Sequence, residues 1–333
     1  MIILIKKDAD ATQVENLKTL LRSRNIEPHV SKGSMQTLIG CVGDVAHLDP
    51  GLIEALDVVE SVQRIQEPYK AANRKFHPED SVIDCGGAKI GGGEFAVIAG
   101  PCSVETEDQL LGIARAVKAA GATMLRGGAF KPRTSPYSFQ GLGAEGLRLL
   151  SIAKKETGLP IVTELMDFAN IDLFNDVDVI QIGARNMQNF NLLKEVGSYT
   201  KKPILLKRGM AATLQELLMS AEYVMSSGNP NVILCERGIR TFETALRNTL
   251  DLGVVPVLHH LSHLPVVVDP SHATGFAHMV DSVAVAATAI GADGVMIEVH
   301  NDPPHAKCDG AQSQTPEMFA ATMERIRKVR AVI

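Results

Sequence analysis

From Phe95 onward the chain repeats one pattern eight times: a short apolar run, a few polar or charged residues, then usually a stretch with helical spacing. The runs are residues 96–99, 123–125, 160–162, 179–182, 204–206, 232–234, 266–268 and 295–297. Runs apolar at nearly every position suit parallel strands buried on both faces. Between them, Leu110, Ile113, Ala114 and Val117 share one helical face ahead of Gly121. Thr213 with Glu216 predicts a capping box for a helix carrying Leu217, Leu218, Ala221 and Met225, which Gly228 then stops. Eight strand–helix units over roughly 240 residues predict an α/β fold, the (β/α)8 (TIM) barrel. A doubly wound open sheet is the competing arrangement of the same alternation. Residues 82–90 predict a small hairpin that closes the bottom of the barrel.

The first 65 residues carry a different pattern. An apolar run at 2–5 precedes a helix with Val14, Leu17, Leu20 and Leu21 at helical spacing, where Thr12 and Glu15 suggest a capping box. Residues 29–31 and 37–42 read as a hairpin around Lys32 and Gly33. Asp49–Pro50 starts a second short helix with Ile53 and Leu56, and 58–65 returns as a strand. This order, βαββαβ, predicts a small amino-terminal ferredoxin-like domain over 1–65. Residues 66–80, with Pro68 and Pro78 among mixed charges, read as a linker to a catalytic barrel over 81–333. His29 and Ser31 share one strand face and are candidates for contact with a small effector.

Composition narrows the classes. Hydrophobic residues make up 45% and charged residues 21% of 333, which is ordinary for a packed globular chain. A net charge of -5 argues against general nucleic-acid affinity, so any cationic cluster is local. No apolar run reaches membrane-span length, and the opening MIILI is too short for an export signal, so neither membrane nor export is expected. The five cysteines, Cys41, Cys85, Cys102, Cys235 and Cys308, are odd in number in a chain large enough to bury its own core. They predict free thiols and a reducing cytoplasm.

Barrel enzymes place their chemistry at the carboxyl ends of the strands. In order those ends offer Cys102, Arg126, Glu164, Arg185, Lys207, Arg237, His272 and Glu298, all ionisable or metal-competent. Singly, each has a structural reading, such as a buried thiol or an ion-paired carboxylate; together they point to a site. Closing the barrel brings His272, Glu298 and Cys102 together, with Asp309 in the loop after the eighth strand. A thiolate, an imidazole and two carboxylates suit one divalent metal ion, and these mixed hard and soft donors do not choose among manganese, iron, zinc, cobalt and copper. The second strand opens into MLRGGAFKPRTSPYSFQG, where Gly127 and Gly128 free the backbone and Lys131, Arg133 and several hydroxyls follow. So many cations facing one cavity fit a multiply charged anion, such as a substrate pair bearing two phosphates and a carboxylate.

The segments AGPCS (99–103), LRGGAFKPRTSPYSFQG (125–141), IGARN (182–186), LLKRG (205–209), LCERG (234–238), DPSH (269–272) and the IEVH…CDG tail resemble the 3-deoxy-D-arabino-heptulosonate 7-phosphate (DAHP) synthases. The amino-terminal unit resembles the ACT-like regulatory extension of one subgroup. The resemblance implies condensation of phosphoenolpyruvate with erythrose 4-phosphate, the first step of aromatic amino-acid biosynthesis. It implies Cys102, His272, Glu298 and Asp309 as metal ligands. It implies Arg126, Lys131, Ala184, Arg185, Lys207 and Arg237 around phosphoenolpyruvate, and Arg133, Thr134 and Ser135 around erythrose 4-phosphate. Lys131 is the candidate proton donor, Glu164 the candidate orienter of water, and Cys102 and His272 count as catalytic through the metal. It further implies feedback by tyrosine or phenylalanine through the small unit, with His29 and Ser31 at the effector, and a homotetramer. Cys308 beside Asp309 raises the hypothesis that oxidation links it to Cys102; an inert loop thiol is the alternative. The nearest alternative activity is 3-deoxy-D-manno-octulosonate 8-phosphate synthesis, whose enzymes usually carry Lys-Ala-Asn-Arg-Ser where this chain has Lys131–Pro132–Arg133–Thr134–Ser135. A noncatalytic effector-binding protein is the alternative from another class.

Overall fold

The structure, a computed structural model, describes residues 1–33, 36–45, 47–63 and 68–333. Two compact units emerge: residues 1–80 with 260–263, and residues 81–259 with 264–333.

The first unit contains β1 (Ile2–Ile5), α1 (Ala11–Arg22), β2 (Glu27–Lys32), β3 (Thr37–Val42), α2 (Pro50–Glu54) and β4 (Val59–Gln63). The antiparallel sheet has the order β2-β3-β1-β4, the arrangement of a ferredoxin-like βαββαβ unit. Met1, Ile3, Ile5, Leu17, Leu21, Ile39, Cys41, Ile53 and Val59 share its buried core. Alternation therefore gives odd positions of β1 and β3 to the helices and even positions to the opposite face. The expected capping box at Thr12 and Glu15 is not formed. Asp10 caps α1 by accepting from the Thr12 N–H, and Glu15 instead accepts from Lys18 one turn on at 2.6 Å. The shorter Asp side chain two residues upstream reaches that amide without a turn of helix between. Arg64 and Ile65, expected to extend β4, and Gln66 and Glu67, at the start of the expected linker, lie outside the described residues.

His29 and Ser31 do fall on one face of β2, opposite Gly40 and Leu38 of β3 in register. The His29 ring lies 6.1 Å from that of Phe76, and Phe76 covers Gly40 so closely that a Cβ there would meet it at 1.4 Å. In the same unit His263 is buried, with its Nε2 2.8 Å from the Ala71 carbonyl. Burial pulls its imidazole down to about 4, against a smaller upward pull from that carbonyl. The unfolded chain takes up this proton near pH 6.5, so stability is full above that value and is lost as pH falls toward 4. His263→Gln is expected to flatten that acid-side fall by about 2 kcal/mol, read from urea midpoints at pH 4.5 and 7.5.

The second unit opens with a hairpin, β5 (Ile83–Asp84) and β6 (Lys89–Ile90). It continues with β7 (Ala96–Gly100), α3 (Glu107–Ala120), β8 (Met124–Arg126), α4 (Ala144–Thr157), β9 (Ile161–Glu164), β10 (Val179–Ile182), α5 (Phe190–Tyr199) and β11 (Ile204–Lys207). Next come α6 (Leu214–Ser226), β12 (Val232–Glu236), α7 (Val254–Leu261, its last two residues counted with the first unit), β13 (Val266–Val268), α8 (Pro270–Thr274), α9 (Ala277–Ala289), β14 (Gly294–Glu298) and α10 (Pro316–Arg330). Strands β7 to β14 form one closed parallel barrel in sequence order, with β14 paired to β7. Ile83, Cys85 and Ile90 of the hairpin join one buried cluster with Ala96, Ile98, Met124 and Val179 from the strand starts. The hairpin thus plugs the amino-terminal end of the barrel.

Cap chemistry sets the helix ends. Thr106 accepts from Gln109 N–H at the start of α3, and Gly121 ends it at φ 103°. The Thr213–Glu216 capping box opens α6 as expected. The strand–helix alternation is broken after β9, where Asp167 caps a 3-10 segment over Phe168–Phe174. Among the described residues, no helix is long and apolar enough to cross a membrane.

Candidate active site

The carboxyl ends of the strands open onto a cavity of about 370 Å3. Arg126, Lys131, Arg133, Thr134, Ser135, Glu164, Ala184, Arg185, Lys207, Arg237, His272 and Asp309 all line it. Cys102 and Glu298 lie fully buried beside them. Every expected catalytic, substrate or metal residue of the barrel therefore converges at one mouth.

Strand ends explain the placement. Arg126, Glu164, Lys207 and Glu298 are the last residues of β8, β9, β11 and β14. Cys102 follows β7 by two residues, after Gly100 at φ 152°. A Cβ at Gly100 would lie 2.0 Å from the Arg126 carbonyl oxygen, so glycine is what lets the chain bring Cys102 in beside Arg126. His272 comes from α8, whose cap Asp269 accepts the His272 N–H at 2.9 Å.

Cys102, His272, Glu298 and Asp309 each offer a ligand atom within 4.8 Å of the others. His272 Nδ1 lies 2.7 Å from Asp269 Oδ2, which fixes the proton on Nδ1 and leaves the Nε2 lone pair for the site. That lone pair faces Glu298 Oε1 at 3.4 Å and Asp309 Oδ2 at 4.0 Å. A lone pair aimed at two carboxylates is repulsive until a cation stands between them, so the donor set fits a divalent metal. Burial lowers the His272 imidazole, against the pull of Asp269, and keeps it neutral, the form that ligates. Burial presses the Asp309 carboxyl upward, but Arg247 and His272 hold it down at about 2. Asp309 also holds a left-handed backbone, φ 50°, which a short Asp tolerates better than most side chains. The bond with Cys308, burial and the charge of Glu298 push the Cys102 thiol well above its usual range. A bound cation would reverse that balance.

Lys131 donates to Cys102 Sγ at 3.1 Å and to the Cys102 carbonyl at 3.0 Å. Burial works against its charge, but the Cys102 and Cys308 thiols outweigh burial and raise it, so the ammonium keeps its proton at neutral pH. Cys308 Sγ sits 3.3 Å from Cys102 Sγ, and Arg133 Nη1 donates to it at 2.6 Å. Arg126 donates to Glu298 Oε1 at 2.9 Å and to the Pro101 carbonyl at 2.7 Å. Its Nε is buried with no hydrogen-bond partner among the described residues, a donor left for an incoming acceptor.

Of the carboxylates that could neutralise the cation cluster internally, Glu236 is taken by Arg208 at 2.9 Å, and Glu164 accepts from Gln181 at 3.1 Å. Lys207 pairs with Asp269, whereas Arg185, from a 3-10 turn over Ala184–Asn186, is exposed.

Sequence reasoning passed over Asp269, Arg247, Asn248 and Gln312. Arg247 pairs with Asp309 at 3.2 Å and donates to Gln312 Oε1 at 2.6 Å, while Gln312 donates to Glu298 Oε2 at 2.6 Å. Asn248 donates to the His272 carbonyl at 2.8 Å. An Asp directly before Pro270 was a readable N-cap signal; Arg247 and Asn248 sit in a loop and Gln312 ends a single 3-10 turn, neither of which periodicity reaches.

Fold and site together define a (β/α)8-barrel enzyme built around a cation-lined cavity beside a metal-competent pocket. Residues 68–331 match the DAHP synthetase I family and residues 1–67 match the DAHP synthase ferredoxin-like domain. The chain belongs to the DAHP synthetase I family. It is 48% identical to a phospho-2-dehydro-3-deoxyheptonate aldolase of Thermotoga maritima, over 99% of this chain and 97% of the relative. The crystal structure of the Thermotoga maritima enzyme of that name (DAHP synthase) superposes with a TM-score of 0.78 at 48% identity, covering 98% of this chain and 96% of the other. A 2-dehydro-3-deoxyphosphooctonate aldolase of Syntrophobacter fumaroxidans is 31% identical over 74% of this chain and 91% of its own length.

Proposed function

We propose that the chain joins phosphoenolpyruvate to erythrose 4-phosphate and water, giving DAHP and inorganic phosphate. The observation that carries this reading is the opening of two sets onto one cavity: Cys102, His272, Glu298 and Asp309 on one side, and Arg126, Lys131, Arg185, Lys207 and Arg237 on the other. A divalent cation held by the first set would supply Lewis acidity toward the aldehyde oxygen.

The second set holds the phosphate and carboxylate of phosphoenolpyruvate, and Ala184 closes around them. Arg133, Thr134 and Ser135 receive erythrose 4-phosphate. The enol phosphate C3 bonds to the aldehyde carbon, leaving positive charge at C2 and an alkoxide on the former aldehyde. Lys131, protonated and buried, gives its proton to that alkoxide. Glu164, oriented by Gln181, directs water onto C2, and C–O cleavage releases phosphate to the guanidinium groups, which stabilise its leaving charge.

Phosphate release at constant phosphoenolpyruvate tests the acceptor. Erythrose 4-phosphate is expected to exceed arabinose 5-phosphate in kcat/KM by about 10–200-fold; the reverse preference would assign the octulosonate reaction, and no release with either would assign a noncatalytic role.

The amino-terminal unit is the site of feedback by tyrosine or phenylalanine, with His29 and Ser31 at the effector, in a cytoplasmic homotetramer. A truncated form of the Thermotoga maritima synthase has a solved structure with a TM-score of 0.72 to this chain at 47% identity, which supports a barrel that folds without the extension. Removing residues 1–65 is expected to leave turnover within about threefold while abolishing inhibition by the aromatic amino acid. Inhibition that survives the truncation would place the effector elsewhere.

A further inference from the structure

One oxygen atom stands between the two halves of the site. Asp269 is fully buried. Its Oδ1 is held by the His272 N–H at 2.9 Å, which fixes the carboxylate plane. Its backbone N–H is held by the Glu236 carbonyl at 2.8 Å. The remaining oxygen, Oδ2, takes two partners at once: His272 Nδ1 at 2.7 Å and the ammonium of Lys207. One partner belongs to the metal-competent group and the other to the anion cradle. Lys207 has no other carboxylate within ion-pairing distance among the described residues.

We infer that Asp269 is a positioning residue that couples the two sites, so that occupancy of the cation site and of the phosphoenolpyruvate site strengthen one another through Oδ2; this rests on the function proposed above. The sign follows from the shared atom. An incoming polyanion draws the Lys207 ammonium toward itself and loosens its hold on Oδ2. The freed negative charge then bears on the His272 Nδ1–H, making Nε2 a stronger donor to a cation. In the other direction, a cation at Nε2 makes the imidazole more positive and draws Oδ2 toward it, which releases Lys207 to the anion. The two effects are one coupling free energy and must be equal in size.

The test measures manganese(II) affinity by electron paramagnetic resonance of the free ion, with and without phosphoenolpyruvate, on the full chain. Phosphoenolpyruvate affinity is measured by calorimetry with and without manganese. In the wild type each ligand is expected to tighten the other by about tenfold. Asp269→Asn keeps an oxygen for one partner but removes the charge that both share. Mutual tightening is then expected to fall to about threefold or less, the residue of direct attraction between cation and polyanion. Lys207→Gln cuts only the ammonium arm and serves if Asp269→Asn does not fold by circular dichroism. Its metal affinity without phosphoenolpyruvate is expected to be at least that of wild type, with little further gain on adding it. Undiminished coupling in the folded variant, or a wild type that binds both ligands independently, would overturn the inference while leaving the site assignment standing. A wild type that binds neither ligand would overturn both.

Discussion

Cys102→Ser is expected to lower turnover by about a thousandfold while leaving the fold intact. The serine hydroxyl fits the space, and Lys131 still has an acceptor where it now meets Sγ at 3.1 Å. What is lost is the anion. A thiol next to a divalent cation gives up its proton, whereas an alcohol ligates as a neutral and far weaker donor. Lewis acidity supplies several kcal/mol of transition-state stabilisation, which converts to about three orders of magnitude in rate. Metal content after dialysis, measured beside the thermal midpoint and turnover, separates the causes. Full metal content with turnover near wild type would show that Cys102 is only a packed thiol. A collapsed midpoint would show a structural one. Normal folding with little metal and little turnover is the expected triad of results.

The barrel was legible because a parallel sheet wrapped in helices buries both faces of each strand, and so writes continuous apolar runs. The expected run at 204–206 differs from β11 only by Lys207, whose polarity hides its place as the last strand residue. The same polarity marks the site: a charged residue ending an apolar run is held at the barrel mouth, as Arg126, Glu164 and Glu298 are. Asp10 shows where reading by motif went wrong. The T-x-x-E pattern at Thr12 matched a capping box, but the helix had already begun after a competent cap two residues earlier. Loops were the deeper gap. Arg247 lies 62 residues before Asp309 in the chain, yet the two pair at 3.2 Å, and no local spacing encodes a meeting made by barrel closure. Arg208 next to Lys207 carries a related lesson: one cation faces the cavity while its neighbour turns to a buried partner, Glu236. Adjacent strand residues point to opposite sides, so charge counts along LLKRG overstate the cations available to substrate.

Removing the Arg126 guanidinium should damage stability and function together, and a second substitution should then separate them. Arg126 and Glu298 form an ion pair at 2.9 Å with both side chains almost wholly buried. Burial drives the Glu298 carboxyl upward, but His272 and Arg126 overcome it and hold it below its usual range. Its folded-state pKa is thus depressed, and its contribution to stability is present above about pH 4.3 and lost as pH falls. Arg126→Met leaves that carboxylate buried with a weaker set of partners, a change that typically destabilises by about 3–5 kcal/mol. With the buried guanidinium removed, the carboxyl of the variant should rise above its unfolded value. The slope then reverses: stability of Arg126→Met falls as pH rises from 5 to 8, where wild type does not show that fall. Urea midpoints across this range measure both effect and sign. Adding Glu298→Gln to Arg126→Met removes the unpaired charge and should recover most of the lost stability, since a neutral amide can still meet Gln312. Turnover should not return, because the double variant lacks both a cation of the proposed substrate cradle and a proposed metal ligand. A double variant no more stable than Arg126→Met would mean that packing around the guanidinium, and not its charge, holds this side of the barrel together.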